Sequence, residues 1–407
     1  KTQIKIRDIE RELEGMDLKE RVKPYLRAGF WRQFLAKYPE SGRLYRRMLR
    51  VSAKVNELEI VHGAISENAG MHLMKGQAND AYWHGIFGGV YLPHLRTGVE
   101  RELIIAEEIC DKAGVAPAQD FPEPLLDNAR LRLLLEPENS GGLAAIDIKK
   151  SEVNIVNSMT RRKEAYHFRL QEATSSDESD HKSIHERLEV KEENLQKRLV
   201  FDQHERIAFV DRFLRPDFTL DELKLERDVE VGDFAAGRYD LADIDEDSAL
   251  LKRSANVMGK PITIEKKYQF DYDTMNLWVQ YYIDGDIEGI EDVLFAPELN
   301  LNLLAPEAPD RFFLLDNNPF EENNLGGSGD NSEAGELSLV DDYQGFRINL
   351  KPDIEPRWVW YPVETISLSE GGVERVYQGS GIHMVWRLGD IAHKKFKILL
   401  ETESWEV

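Results

Sequence analysis

Residues 262–272 (ITIEKKYQFDY) and 276–283 (NLWVQYYI) are two runs in which Ile, Tyr, Phe, Val and Leu alternate with polar residues. A two-residue period of this kind marks strands with one buried face. Similar runs recur on both sides: 129–136 (ARLRLLLE), 143–148 (LAAIDI), 152–156 (EVNIV), 206–210 (RIAFV), 225–231 (LERDVEV), 299–304 (LNLNLL), 346–350 (FRINL), 357–361 (RWVWY) and 396–401 (FKILLE). So many short strands separated by turn signals predict an antiparallel β-sandwich. The polar stretch 171–183 and the Asn, Gly, Asp and Glu-rich stretch 316–336 read as solvated loops. No solenoid or propeller repeat is visible.

Upstream the period is helical. Residues 4–18, 28–37 (AGFWRQFLAK), 42–58 (GRLYRRMLRVSAKVNEL) and 98–113 (GVERELIIAEEICDKA) place apolar residues three and four apart. Pro39, Ser41 and Gly42 interrupt the pattern and can open a helix. Residues 114–124 (GVAPAQDFPEP), with three prolines, read as a hinge. The predicted fold is therefore α+β with two domains: a helical segment, 1–124, and a large β-sandwich, 125–407.

Charge divides the chain in the same place. Residues 1–115 carry 19 Lys+Arg against 16 Asp+Glu; the remainder carries 33 against 59, within a net charge of −23. That balance opposes nucleic acid and anionic membrane surfaces, which require basic patches. No apolar run approaches the ~18 residues of a membrane span. One cysteine, Cys110, allows neither an internal disulfide nor a Cys-based zinc site. A cytoplasmic location is the simplest expectation. Residue 1 is Lys rather than Met, which is expected if the chain lies within a longer protein.

The most unusual stretch is 77–94, QANDAYWHGIFGGVYLPH. It concentrates Asn79, Asp80, Tyr82, Trp83, His84 and Tyr91 around Gly85, Gly88 and Gly89. Aromatic rings stack on the apolar faces of sugars, and carboxylate, amide and imidazole groups bond sugar hydroxyls. Glycines allow close backbone approach. A helical Asp80–His84 would put Asp80, Trp83 and His84 on one face. The plain alternative is a core stripe of Trp83, Phe87 and Tyr91.

Residues 77–94 resemble the last short conserved region of glycoside hydrolase family 57, in its α-amylase and 4-α-glucanotransferase branch. GFWRQFLAKYPES (29–41), TRRKEAYH (160–167), LVFDQHERIAFVDRFL (199–214), LNLLAPEAPDRFF (301–313) and SEGGVERVYQGS (369–380) resemble the same branch. The resemblance implies a helical segment that completes a catalytic β/α barrel, followed by a mutarotase-like supersandwich. It also implies a retaining mechanism on α-1,4-glucans through a covalent glycosyl-enzyme. The barrel motifs carrying the catalytic Glu and Asp have no match here. Asp80 and Trp83 match positions that touch substrate in relatives, with Asn79, Tyr82 and His84 beside them. Arg212 departs from the pattern, standing where relatives commonly have His.

Retaining hydrolysis needs two carboxyl groups about 5–5.5 Å apart. In the helical segment Asp80 is the one acid in a sugar-binding context; Glu67 reads as a surface group. This chain alone is therefore expected to contribute substrate contacts and no catalytic residue. Its expected partners are an α-1,4-glucan or maltooligosaccharide and an N-terminal barrel, with a homodimer left open. Two alternatives belong to other classes: a stand-alone carbohydrate-binding or accessory sandwich protein, and an epimerase-like sandwich using His204 with Glu205 or Asp211. TRRKEAYH offers Arg161, Arg162, Glu164, Tyr166 and His167 for the junction of the two domains. No cofactor is expected; Asp240, Asp243, Asp245, Glu246 and Asp247 could hold Ca²⁺, although a solvated acidic loop is the simpler reading.

Overall fold

A computed structural model describes residues 31–85, 88–116, 123–173, 192, 194–369 and 372–407. The expected helix 4–18 lies outside the described residues, as does the loop expected at 171–183 except for its first three residues, which end a helix. The helical head consists of α1 (Trp31–Lys37), α2 (Pro39–Gly76) and α3 (Pro93–Lys112). Proline opens both long helices, where its missing N–H costs nothing. Val51, Val55, Leu58, Leu73, Leu103, Ala106 and Cys110 form the core between α2 and α3. Among the described residues no helix is long and apolar enough to cross a membrane.

Nineteen strands follow among the described residues. They are β1 (Leu125–Asp127), β2 (Leu131–Glu136), β3 (Gly142–Ile148), β4 (Val153–Asn154), β5 (Ala208–Val210), β6 (Phe213–Leu214), β7 (Asp240–Ile244), β8 (Ser248–Val257), β9 (Lys260–Phe270), β10 (Leu277–Gly285), β11 (Leu294–Phe295), β12 (Glu298–Leu301), β13 (Arg311–Leu315), β14 (Gly329–Asn331), β15 (Leu337–Asp341), β16 (Phe346–Pro352), β17 (Arg357–Ser369), β18 (Gly372–Arg387) and β19 (Lys395–Ser404). They make two antiparallel sheets. The eight-stranded sheet runs β13-β15-β16-β19-β10-β9-β8-β7. The eleven-stranded sheet runs β1-β2-β3-β5-β12-β18-β11-β6, with β4, β14 and β17 paired off this path.

The hairpin of β9 and β10 bears out the opening pattern. Ile262, Ile264, Tyr268 and Phe270 face inward, opposite Ile283, Val279 and Leu277. The same period drives Lys266 into the core. There its ammonium donates to Ser140 O and Phe209 O, each at 2.8 Å, and lies 2.8 Å from an Asp211 oxygen. Burial lowers the Lys266 pKa, and Asp211 opposes the shift. Tyr239 and Tyr281 donate their hydroxyls to the same carboxylate. A buried charge is tolerated when it is paired and hydrogen-bonded in this way.

Two sequence readings are corrected. Residues 225–231 form no strand; they keep a single bridge between Leu214 and Glu230. Glu226 and Asp228 take positive φ there, 52° and 48°, and the bent chain delivers Glu226 and Glu230 to Arg212. The stretch 316–336 is more than a solvated loop. It contains β14, buries Leu325 and Ala334, and Ala334 O accepts the Trp358 indole N–H at 2.8 Å.

The head lies against the eleven-stranded sheet through charge. Arg43, Arg47, Arg50 and Lys54 form a buried basic stripe along α2. Arg43 meets Glu136 and Glu205, Arg47 meets Asp147, and Arg50 and Lys54 meet Glu107 of α3. Arg132 of β2 completes the seam with Glu107 at 2.8 Å. The basic head and acidic sandwich are thus complementary at their shared face.

Candidate functional site

The glycine-rich stretch forms a turn between α2 and α3. A 3₁₀ helix covers Asn79–Tyr82, and Trp83 is already extended at φ −144°, ψ 166°. The helical face expected for Asp80, Trp83 and His84 therefore does not form, because the single helical turn ends at Tyr82, before both Trp83 and His84. Asp80 and Asn79 are exposed, and Trp83 keeps 44% of its surface. Tyr82 turns the other way. It is 6% exposed, its hydroxyl donates to Gly76 O, and its own carbonyl accepts from Ser41 Oγ. Its expected role as a sugar contact is corrected to that of a core anchor for the turn.

Glycines set the position of Trp83. Val90 N donates to Trp83 O at 2.9 Å. Gly89 sits at φ +55°, and a Cβ there would lie 2.1 Å from Trp83 O. A Cβ on Gly85 would come within 3.0 Å of the indole ring. At Gly89 only glycine allows this approach, whereas at Gly85 a side chain would press on the ring. His84 is half-buried beneath the turn, with its Nδ1 2.9 Å from Gly88 O and its ring edge-on to Tyr91 at 4.9 Å. Burial lowers its pKa, which favours the neutral imidazole.

Below His84, Glu164 gathers Tyr38 Oη at 2.6 Å, Tyr91 Oη at 2.9 Å and Lys37 Nζ at 2.5 Å. Burial, reinforced by Glu164, raises both tyrosine pKa values, so both stay protonated donors. Of the rest of 160–167, Arg162 reaches the head, while Arg161 and His167 bond within the sandwich. Arg162 meets Glu40 at 2.8 Å, Arg161 meets Asp202 at 2.7 Å, and His167 Nε2 lies 2.7 Å from Ile366 O.

The His204 expectation breaks into three separate networks. Glu205 pairs with Arg43, Asp211 with Lys266, and His204 with Glu298 Oε2 at 3.1 Å. His204, Glu226 and Glu298 have ligand atoms within 4.8 Å of one another. That spacing would suit a metal or a carboxylate pair, yet Arg206 and Arg212 both contact Glu226 and Glu298 at 2.6–3.0 Å. Glu298 is fully buried. Opposing the effect of burial, the arginines help to hold Glu226 and Glu298 below the usual carboxylate range. A carboxylate pair held ionised by guanidinium groups is poorly suited to act as a general acid. Arg212, atypical in sequence, is a structural member of this cluster. In the acidic stretch 240–247, Asp245 is used by its own turn, accepting from Asp247 N and Ser248 N.

A cavity of about 50 Å³ lies at the seam, lined by residues that include Glu40, Arg47, Arg96, Glu100, Ser158 and Arg206. On these residues Glu40 Oε2, Arg47 Nε, Glu100 Oε2, Ser158 Oγ and Arg206 Nε have no protein partner. With no aromatic ring in its lining, the cavity suits ordered water better than a sugar. The basic stripe that contributes Arg43, Arg47 and Arg50 to it was not singled out in the sequence.

Comparison with known proteins bears on the family of the chain. The profile of the alpha-amylase/4-alpha-glucanotransferase C-terminal domain matches residues 121–400, and that of the middle domain matches residues 29–110. Alpha-amylase 1 of Dictyoglomus thermophilum is 35% identical over 392 residues, covering 93% of this chain and 55% of that protein. The 4-alpha-glucanotransferase of Thermococcus kodakarensis is 31% identical over 375 residues, covering 90% and 52%. The crystal structure of 4-alpha-glucanotransferase from Thermococcus litoralis overlays 98% of this chain and 57% of that one with a TM-score of 0.71 at 24% identity, a likeness of fold. The chain thus spans about half the length of the curated relatives it matches. It belongs to the alpha-amylase/4-alpha-glucanotransferase branch of glycoside hydrolase family 57, of which it carries the middle and C-terminal domains.

Proposed function

We propose that this chain is the substrate-contacting, non-catalytic part of a retaining enzyme that hydrolyses or transfers α-1,4-glucan segments. In this reading Trp83 stacks on a glucose ring, Asp80 accepts from its hydroxyls, and Asn79 lies alongside. Neutral His84 supports the turn from below. The catalytic Glu and Asp stand on a barrel outside this chain. The observation that carries the reading is the exposed Asp80–Trp83 pair, which has no ion pair or ring partner among the described residues. It is presented on a turn that three glycines and two buried tyrosines hold in shape.

The test is product analysis after incubating the chain with maltoheptaose. No new reducing ends and no longer or shorter oligosaccharides are expected, since one carboxylate beside an indole cannot run a two-carboxylate displacement. Turnover by the chain alone would overturn the reading.

A further inference from the structure

The longest strand, β18, contains a break in register. Val363 pairs with Gly379, and the next residue, Glu364, pairs with Tyr377, so Gln378 is the extra residue of a β-bulge. Bulges take one residue out of the ladder and re-aim its side chain. Gly379 permits the distortion: its φ is +151°, and a Cβ there would lie 2.5 Å from Ser158 Oγ and 2.8 Å from Leu301 O. The freed Gln378 side chain is fully buried and points to the head. Its Oε1 accepts from Arg96 Nη2 at 3.0 Å, and its Nε2 donates to Tyr91 O at 2.8 Å and to Thr365 Oγ1 at 2.9 Å.

Arg96, on α3, is 3% exposed and has no carboxylate in ion-pair contact among the described residues. It donates to Val90 O through Nη1 and to Asn157 through Nε and Nη2, at 2.7 and 2.8 Å. A buried guanidinium held by neutral acceptors is costly, and here the planar fork fixes backbone rather than neutralising charge. Together Gln378 and Arg96 hold two consecutive carbonyls, Val90 and Tyr91, at the end of the glycine turn. Val90 N then donates to Trp83 O. A path of hydrogen bonds thus leads from a sandwich strand, through the Val90 peptide, to the backbone carbonyl of Trp83.

We propose that Gln378 and Arg96 are positioning residues: the β18 bulge sets the place of Trp83 and Asp80, making the sandwich part of the glucan site without touching the sugar. The sugar half of this statement rests on the function proposed above. An apolar side chain could fill the same space, but it could neither accept from Arg96 nor donate to Tyr91 O.

The experiment uses the chain labelled with 5-fluorotryptophan and read by ¹⁹F NMR, with the Trp83 resonance among the seven assigned by Trp83→Phe. Without sugar, Gln378→Leu is expected to shift or broaden the Trp83 line and leave that of Trp278, on the other sheet, unmoved. Arg96→Lys, which keeps the charge and removes the fork, should do the same and decides the matter if Gln378→Leu does not fold. An unchanged Trp83 line in a folded variant overturns the inference. The same samples are then titrated with maltoheptaose. Binding roughly tenfold weaker in Gln378→Leu is expected, about the loss of one or two net hydrogen bonds; equal binding also overturns the inference. If wild-type Trp83 does not respond to maltoheptaose, the sugar reading falls, and the sugar-free comparison still decides the positioning role.

Discussion

Arg47 of the head and Asp147 of the sandwich meet as a two-pronged ion pair, with Nη1–Oδ1 at 3.0 Å and Nη2–Oδ2 at 2.5 Å. Both side chains are buried. Removing one partner of such a pair leaves an uncompensated charge and costs about 3–5 kcal/mol. Asp147→Ala is therefore expected to lower the thermal midpoint by several degrees. The double variant Arg47→Met, Asp147→Leu should recover most of that loss, because apolar residues of similar volume can replace a buried pair. Calorimetry of the three chains checks both statements. A single variant as stable as wild type would show that the seam does not depend on this pair.

The turn gives a sharper local prediction. Gly89→Ala introduces a Cβ into Trp83 O at a positive φ. Losses at such positions exceed the ~1 kcal/mol that a compatible substitution gains. The expected result is a modest fall in stability with a large change in Trp83 emission, read against Trp83→Phe. Gly98→Ala is the control, since nothing lies within 4 Å of its Cβ position.

Glu100 makes the seam sensitive to pH. Burial, which outweighs Arg47, Asn154 and Arg96, raises its carboxyl from 4.5 to about 7, with Asp147 adding to the rise. The folded state then holds a proton that the unfolded state has lost. The Glu100 contribution favours folding below about pH 4.5 and declines as pH rises toward about 7. Glu100→Gln should remove this slope. Relative to wild type the variant should gain up to roughly 3 kcal/mol on passing from pH 4.5 to 8. His383, lowered to about 3 by burial, acts oppositely below its ordinary value and is common to both proteins. Denaturant unfolding across that range measures the difference, and a flat difference curve would contradict the assignment.

How much of this was legible in the sequence depended on period and on chemistry. The β9–β10 hairpin was readable because Ile262 to Ile283 alternate cleanly, and the head because Val51, Val55 and Leu103 recur at helical spacing. β18 was not read as a strand: Gly372, Gly379 and Gly381 lower its propensity, and one of them supports the bulge. Val229 and Val231 imitated a strand because alternation alone cannot show that Glu226 and Glu230 are needed elsewhere. Asp80 and Trp83 were singled out by chemistry and a family resemblance, and both reach the surface. Tyr82 was not separable from them, since a 3₁₀ turn points adjacent residues in directions that helical spacing does not give. Gln378 had no local signal, for its partners lie 282 and 287 residues away.

The most direct measurement is maltoheptaose affinity for the chain before and after Trp83→Ala, by calorimetric titration. Loss of a stacking indole should weaken binding at least about tenfold, while the midpoint of thermal unfolding hardly moves because the ring is exposed. Equal affinity in the two proteins would mean that sugar, if bound at all, sits elsewhere than on the Asp80–Trp83 turn.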